Sequence, residues 1–125
     1  MREATTFFQA LRGRKALVRQ SEADFLLGCG VEPGTAAAAT ALKVRTELAH
    51  YAAVDANQLW ADYRVESDLN INHGDSLDML DVALSMEDVL DVKLDEAAVA
   101  ELWRLNAADA TTKELVAFFV ARAHG

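Results

Sequence analysis

The stretch Asp75-Ser76-Leu77-Asp78-Met79-Leu80-Asp81-Val82-Ala83-Leu84-Ser85-Met86-Glu87-Asp88-Val89-Leu90-Asp91 decides the fold class of this chain. Its apolar residues recur every three or four positions, the period of an α-helix rather than the alternation of a strand. Leu77, Leu80 and Leu84 form one apolar row, and Val82, Ala83, Met86, Val89 and Leu90 form a second. Together they make a wide stripe, with Asp78, Asp81, Glu87, Asp88 and Asp91 at the polar positions around it. Asp75 is suited to the N-cap, which places Ser76 on the first turn. Backbone N–H groups at a helix start are free and favour an anion. Nothing near Ser76 resembles the base and oxyanion hole of a serine nucleophile. His73 is within sequence reach, yet no orienting acid accompanies it. Ser76 therefore reads as an attachment point rather than a catalyst, and no catalytic residue is expected.

On the C-terminal side, Val92-Lys93-Leu94 is a short extended exit. Asp95-Glu96 opens a helix through Val99, Leu102, Trp103 and Leu105. After a loop at 106–110, Thr111-Thr112-Lys113-Glu114 fits a capping box. Leu115, Val116, Phe118, Phe119 and Val120 then form an apolar last helix. On the N-terminal side, Thr35 can cap a helix reaching about Tyr51, in which Leu42, Val44, Leu48 and Tyr51 mix with charged flanks such as Arg45. Residues 53–74 make a long connection that carries its own apolar pins, Val54, Leu59, Trp60, Tyr63, Val65, Leu69 and Ile71, with Trp60 expected as a core anchor. Further upstream, Ser21 caps a short helix through Phe25, Leu26 and Leu27 that ends at Gly28-Cys29-Gly30. Phe7, Phe8 and Leu11 share helical spacing among basic side chains. The pattern predicts an all-α fold: a four-helix bundle over residues 35–125 with a long first loop, preceded by an N-terminal helical extension over residues 1–34.

Composition agrees. The 125 residues are 52% hydrophobic, with one proline and six glycines, which suits helices rather than a turn-rich β fold. Net charge is −8 and uneven: residues 1–34 sum to +1 and residues 35–125 to −9. An acidic body repels nucleic acid and anionic membrane and attracts basic protein surfaces. Cys29 is the single cysteine, so no intramolecular disulfide is possible. The chain carries no secretory leader pattern and no bilayer-length apolar run, so the expected compartment is the cytoplasm, without stable membrane insertion. His50 and His124 lack metal-ligand spacing, and no metal is expected.

The ungapped run from Asp75 to Leu94 resembles the acyl carrier proteins of bacterial fatty acid and polyketide synthesis. The resemblance lies in the Asp75-Ser76-Leu77 signature, the acid at Asp78 and the Asp91-Val92-Lys93-Leu94 exit, and more loosely covers about Thr35 to Arg122. It implies a 4′-phosphopantetheine arm on Ser76 that carries acyl groups as thioesters. A phosphopantetheinyl transferase and enzymes with basic docking surfaces are the implied partners. The implied docking surface comprises Asp75, Leu77, Asp78, Leu80, Asp81, Leu84, Glu87 and Asp88. Val82, Met86 and Leu90 match core-facing positions. The chain departs from the family in its longer approach, Asp68-Leu69-Asn70-Ile71-Asn72-His73-Gly74, in a longer helix after Asp95, and in the first thirty or so residues. These features mark a divergent or specialised carrier, expected to be monomeric and not itself an enzyme. His73-Gly74-Asp75-Ser76-Leu77 also leans toward the form found in peptidyl carriers. The alternatives are a peptidyl or aminoacyl carrier, and an unmodified carrier-fold module for protein interaction in which residues 1–34 supply part of the interface.

Overall fold

The computed structural model describes residues 19–65, 67–69 and 76–124, without the side chains of residues 76–78. Among them the fold is all-α. Helices α1 (Glu22–Cys29), α2 (Ala36–Ala52), α3 (Ser76–Leu90), α4 (Glu96–Ala107) and α5 (Thr112–His124) are joined by loops, with one 3-10 turn at Ala56–Gln58. The spacing of Phe7, Phe8 and Leu11 and the pin Ile71 lie outside the described residues.

Each helix start follows from its cap. The Ser21 hydroxyl accepts the Asp24 N–H at 3.1 Å, Thr35 accepts the Ala38 N–H at 3.1 Å, and Asp95 accepts the Ala98 N–H at 2.8 Å. At α5 the capping box is present: the Thr111 N–H donates to Glu114 Oε1 at 2.8 Å and the Glu114 N–H donates to Thr111 Oγ1 at 3.4 Å. The Thr111 N–H, with the hydroxyl as second donor, holds the Glu114 carboxyl below its usual range.

Helix α2 is central and packs against α1, α3 and α5. Its buried positions are Ala38, Thr40, Ala41, Val44, Arg45, Leu48, Ala49 and Ala52, one continuous stripe at helical period. The alanines of its first half lack bulk, and for that reason they let neighbouring helices approach closely. Arg45 is not on a charged flank as its sequence setting suggests. It is 2% exposed, and its Nε donates to the Leu59 carbonyl at 3.1 Å and its Nη2 to the Gln20 carbonyl at 2.7 Å. Its guanidinium carbon stands 4.3 Å from the Phe25 ring centroid, a cation–π contact. Burial lowers the Arg45 pKa from its ordinary value, opposed by the nearby Glu22 carboxylate.

Phe25 and Leu26 of α1 are buried in the same core as α2 and α5, so the expected boundary after Gly34 carries no break in the packing. At Gly28 a Cβ would stand 2.9 Å from the Ala61 Cβ, and only glycine admits this approach of α1 to the long loop. Cys29 is half-buried, and desolvation pushes its thiol up to about 11 although the Arg45 guanidinium pulls the other way. A thiol this basic is a poor nucleophile at neutral pH.

The long loop is pinned as the sequence suggests, with one exchange. Leu59, Ala61, Val65 and Leu69 are buried, whereas Trp60 is half-buried and stacks on Tyr63 with ring centroids 6.4 Å apart. Leu59 rather than Trp60 is therefore the fully buried anchor of this part of the loop. The loop also completes α5. The Thr112 N–H donates to the Tyr63 carbonyl at 2.7 Å and the Lys113 N–H to the Ala61 carbonyl at 2.9 Å, pairing amides a helix start leaves free. An isolated antiparallel bridge joins Arg64 to Thr111.

Four helices end the same way, with paired bonds closed by a residue in the left-handed region. Gly30 plays that part after α1, but Ala53, Asp91 and Asp109 play it after α2, α3 and α4, with φ of 60°, 54° and 55°. A Cβ in this region costs about 1–2 kcal/mol. Replacing the exposed Ala53 by glycine is expected to raise stability by about 0.5–1 kcal/mol after the entropy of glycine in the unfolded chain is subtracted. Urea unfolding checks this: the midpoint rises with an unchanged slope, and Ala53→Val shifts it the other way. Cys29 gives a second expectation. Its folded pKa of about 11 exceeds the ordinary value of 9.0, so above pH 9 the unfolded chain loses its thiol proton first. Stability relative to Cys29→Ala is therefore level below pH 9 and falls as pH rises towards 11. Denaturation of both proteins across that range measures the difference.

Candidate functional site

Helix α3 divides its side chains cleanly. Met79, Val82, Ala83 and Met86 are buried, at intervals of three and four, and point into the core. Leu90 is half-buried against it. On the opposite side Leu80 and Leu84 are 42% and 56% exposed, large values for leucine, and Asp81 and Asp88 are exposed beside them. Two polar contacts fix this orientation. The Tyr51 hydroxyl of α2 donates to the Asp81 carbonyl at 3.2 Å, and the Ser85 hydroxyl donates to the Glu47 carboxylate. These bonds hold α3 against α2 on one side, and Leu80 and Leu84 face solvent on the other.

Ser76 is the first residue of α3. The first-turn amides of this 15-residue helix have no carbonyl partner within the helix, and the helix dipole adds a positive end. Asp75 and His73 lie outside the described residues, as do the side chains of Ser76, Leu77 and Asp78. Of the acids assigned to the outward face, Asp81 and Asp88 are exposed there. Glu87 has a local role: its Oε2 accepts the Leu94 N–H at 2.8 Å and its carbonyl accepts the Val92 N–H at 3.0 Å. It therefore holds the exit of α3 in place and is only half-exposed.

Leu84, Glu87, Asp88, Asp91, Val92 and Lys93 line a shallow depression of about 370 Å³ at the C-terminal end of the helix. Val92 and Lys93 join the face only because Asp91 turns the chain back through a positive φ. The usual glycine marker is missing there, and an aspartate, one of the few other residues that visit this region, takes its place. From Ser76 to Asp91 the chain has five acids and no basic residue. The helix thus presents Leu80 and Leu84 among acids, with Lys93 at the C-terminal edge of the face. Among the described residues no cluster of histidine, cysteine and acidic side chains could hold a metal ion, and no helix is long and apolar enough to cross a membrane. Comparisons with protein-family models, curated proteins and solved structures return no match.

The division of α3 has a measurable consequence. Met86→Ala is expected to cost about 2–5 kcal/mol because it empties a packed site. Leu84→Ser is expected to stay within about 0.5 kcal/mol of the parent protein, as surface changes do. Urea titration of the two variants separates the faces; equal losses would place Leu84 in the core.

Proposed function

We propose that the protein is a carrier whose Ser76 hydroxyl bears a 4′-phosphopantetheine arm and whose α3 receives partner enzymes. The observation that carries this reading is the placement of Ser76 as the first residue of a helix whose outward side bears Leu80 and Leu84 among Asp81 and Asp88. The site suits the group. A phosphodiester on Ser76 lies in the field of the first-turn amides, which favour its negative charge. When bound, the arm supplies a thiol on which acyl groups travel as thioesters.

The remaining roles belong to the chain. The Ser76 oxygen would form the new bond to the pantetheine-side phosphorus of coenzyme A held by a phosphopantetheinyl transferase, as the pyrophosphate P–O bond breaks, adenosine 3′,5′-bisphosphate leaves and the serine proton passes to a base of the transferase. The protein has no glycine-rich phosphate loop with which to hold that donor alone. Leu80 and Leu84 offer desolvated contact to a partner, and Asp81 and Asp88 steer and align basic side chains around them. Val82 and Met86 form the apolar wall behind the face and keep the helix rigid under load. Acyl, peptidyl and aminoacyl cargoes share this attachment chemistry, and the acyl reading follows from the run between Asp75 and Leu94.

Intact mass after incubation with coenzyme A and a broad-specificity phosphopantetheinyl transferase tests the proposal. The expected result is a gain of one phosphopantetheine in the parent protein and none in Ser76→Ala. An unchanged parent mass, with the Ser76 peptide accessible to chemical labelling, would favour an unmodified interaction module instead.

A further inference from the structure

Lys93 breaks the charge pattern of the outward face of α3. It is the only Lys or Arg between Arg64 and Arg104. It is exposed, and it lines the depression at the end of the helix together with Leu84, Glu87, Asp88, Asp91 and Val92. The chain fixes where this charge stands. On one side of it the Asp91 N–H donates to the Asp88 carbonyl at 3.4 Å and the Val92 N–H to the Glu87 carbonyl at 3.0 Å. On the other side the Leu94 N–H donates to Glu87 Oε2 at 2.8 Å, and the Asp95 carboxylate caps α4. Lys93 is thus held between bonded neighbours. The same bonds engage Glu87 and Asp95 with backbone, while Asp88 and Asp91 stay exposed. The Lys93 ammonium itself makes no ion pair or hydrogen bond among the described residues.

The face is therefore polarised along its length. Asp81 stands beside Leu80 near one end, Asp88 follows Leu84, and Lys93 stands past the other end. The helix rises about 13.5 Å from Asp81 to Leu90. The screening length at physiological ionic strength is about 8 Å. A partner thus meets the two ends as separate charges rather than as one sum. A patch that is basic along its whole length puts a cation against Lys93, and that like-charge contact opposes the pose. A patch whose basic groups cover Asp81 and Asp88, and which ends in a carboxylate, is satisfied in one direction only.

We infer that Lys93 is a specificity-determining residue of the α3 surface. It selects a protein partner that carries a carboxylate at one end of a basic, partly apolar patch, and it sets which way round that patch lies along the helix. Leu80 and Leu84 supply contact area that is indifferent to direction, and Asp81 and Asp88 attract a basic patch in either direction. Lys93 is the charge that tells the two directions apart. The inference rests on the reading of α3 as a receiving surface, but not on modification of Ser76.

The test is paramagnetic broadening of the isotope-labelled full chain by a pair of synthetic helical peptides. Both have one composition, a leucine row flanked by arginines and a single glutamate. The glutamate stands in the N-terminal turn of one peptide and in the C-terminal turn of the other. A nitroxide joined by a thioether sits beside it. Both peptides are expected to broaden the amides of residues 88–94 in preference to those of residues 79–82, by about fivefold, the worth of one exposed charge pair. The glutamate end then seeks Lys93 whichever way the peptide helix runs. Lys93→Glu, a change at an exposed position, is expected to abolish the preference. Equal broadening at both ends of α3 in the parent protein, or an unchanged preference in Lys93→Glu, would overturn the role of Lys93 and leave α3 as the receiving surface. Broadening away from α3, or none, would overturn both. Arm attachment at Ser76 is read separately by intact mass, so its failure and the failure of this inference are told apart.

Discussion

The buried guanidinium of Arg45 is the constraint on which the rest depends. A charge at 2% exposure is tolerated only where its donors are met, and here they are met by backbone carbonyls and an aromatic face. Those acceptors come from distant parts of the chain: Gln20 before α1, Phe25 within it and Leu59 in the long loop. One side chain of α2 therefore ties the lead-in to α1, α1 itself and the long loop to one point in the core they share. Directional bonds to Gln20 and Leu59 also specify register, which greasy contacts do poorly. With Leu59 fixed, Ala61 and Tyr63 fall where their carbonyls meet the first amides of α5.

That framework sets the face of α3. The helix is pressed through Met79, Val82, Ala83 and Met86 onto a core organised by α2, and Tyr51 and Glu47 of α2 hold it on one side. Solvent exposure of Leu80 and Leu84 is thus imposed from behind. A helix free to roll would bury them. Keeping large apolar groups in water costs stability, and the acidic neighbours keep the resulting patch from associating indiscriminately.

Much of this was legible in the sequence, for definable reasons. Thr35, Asp95 and the Thr111–Glu114 pair announce helix starts because capping is local chemistry. The period of α3 marks its apolar rows but joins them in one wide stripe, so the inward place of Val82 and Met86 and the outward place of Leu80 and Leu84 were implied only by the resemblance, and the fully buried Met79 stood in neither row. What stayed hidden depends on tertiary partners. Arg45 looks like a surface residue until Gln20 and Leu59 come to meet it. Trp60 outranks Leu59 as an anchor by size, yet Leu59 is the one fully buried and Trp60 stacks on Tyr63 instead. The ends of α2, α3 and α4 lack the usual glycine, so the turn that brings Val92 and Lys93 to the candidate site lacks its usual local marker. Glu87 reads as one more surface acid, and its bond to Leu94 appears only once the chain doubles back.

The stitching of the long loop to α5 also sets an order of events. The bonds from Thr112 and Lys113 to Tyr63 and Ala61 join residues about fifty apart in sequence, so loop-closure entropy is spent before they form. Local helices such as α2 and α3 can appear early, because their contacts lie within a turn or two. Leu59 and Val65 share one buried cluster with Leu115, Val116 and Phe119 of α5. Removal of α5 would therefore leave the Ala61 and Tyr63 carbonyls without these partners and open the shared core, so loop and helix are expected to unfold together rather than piecemeal.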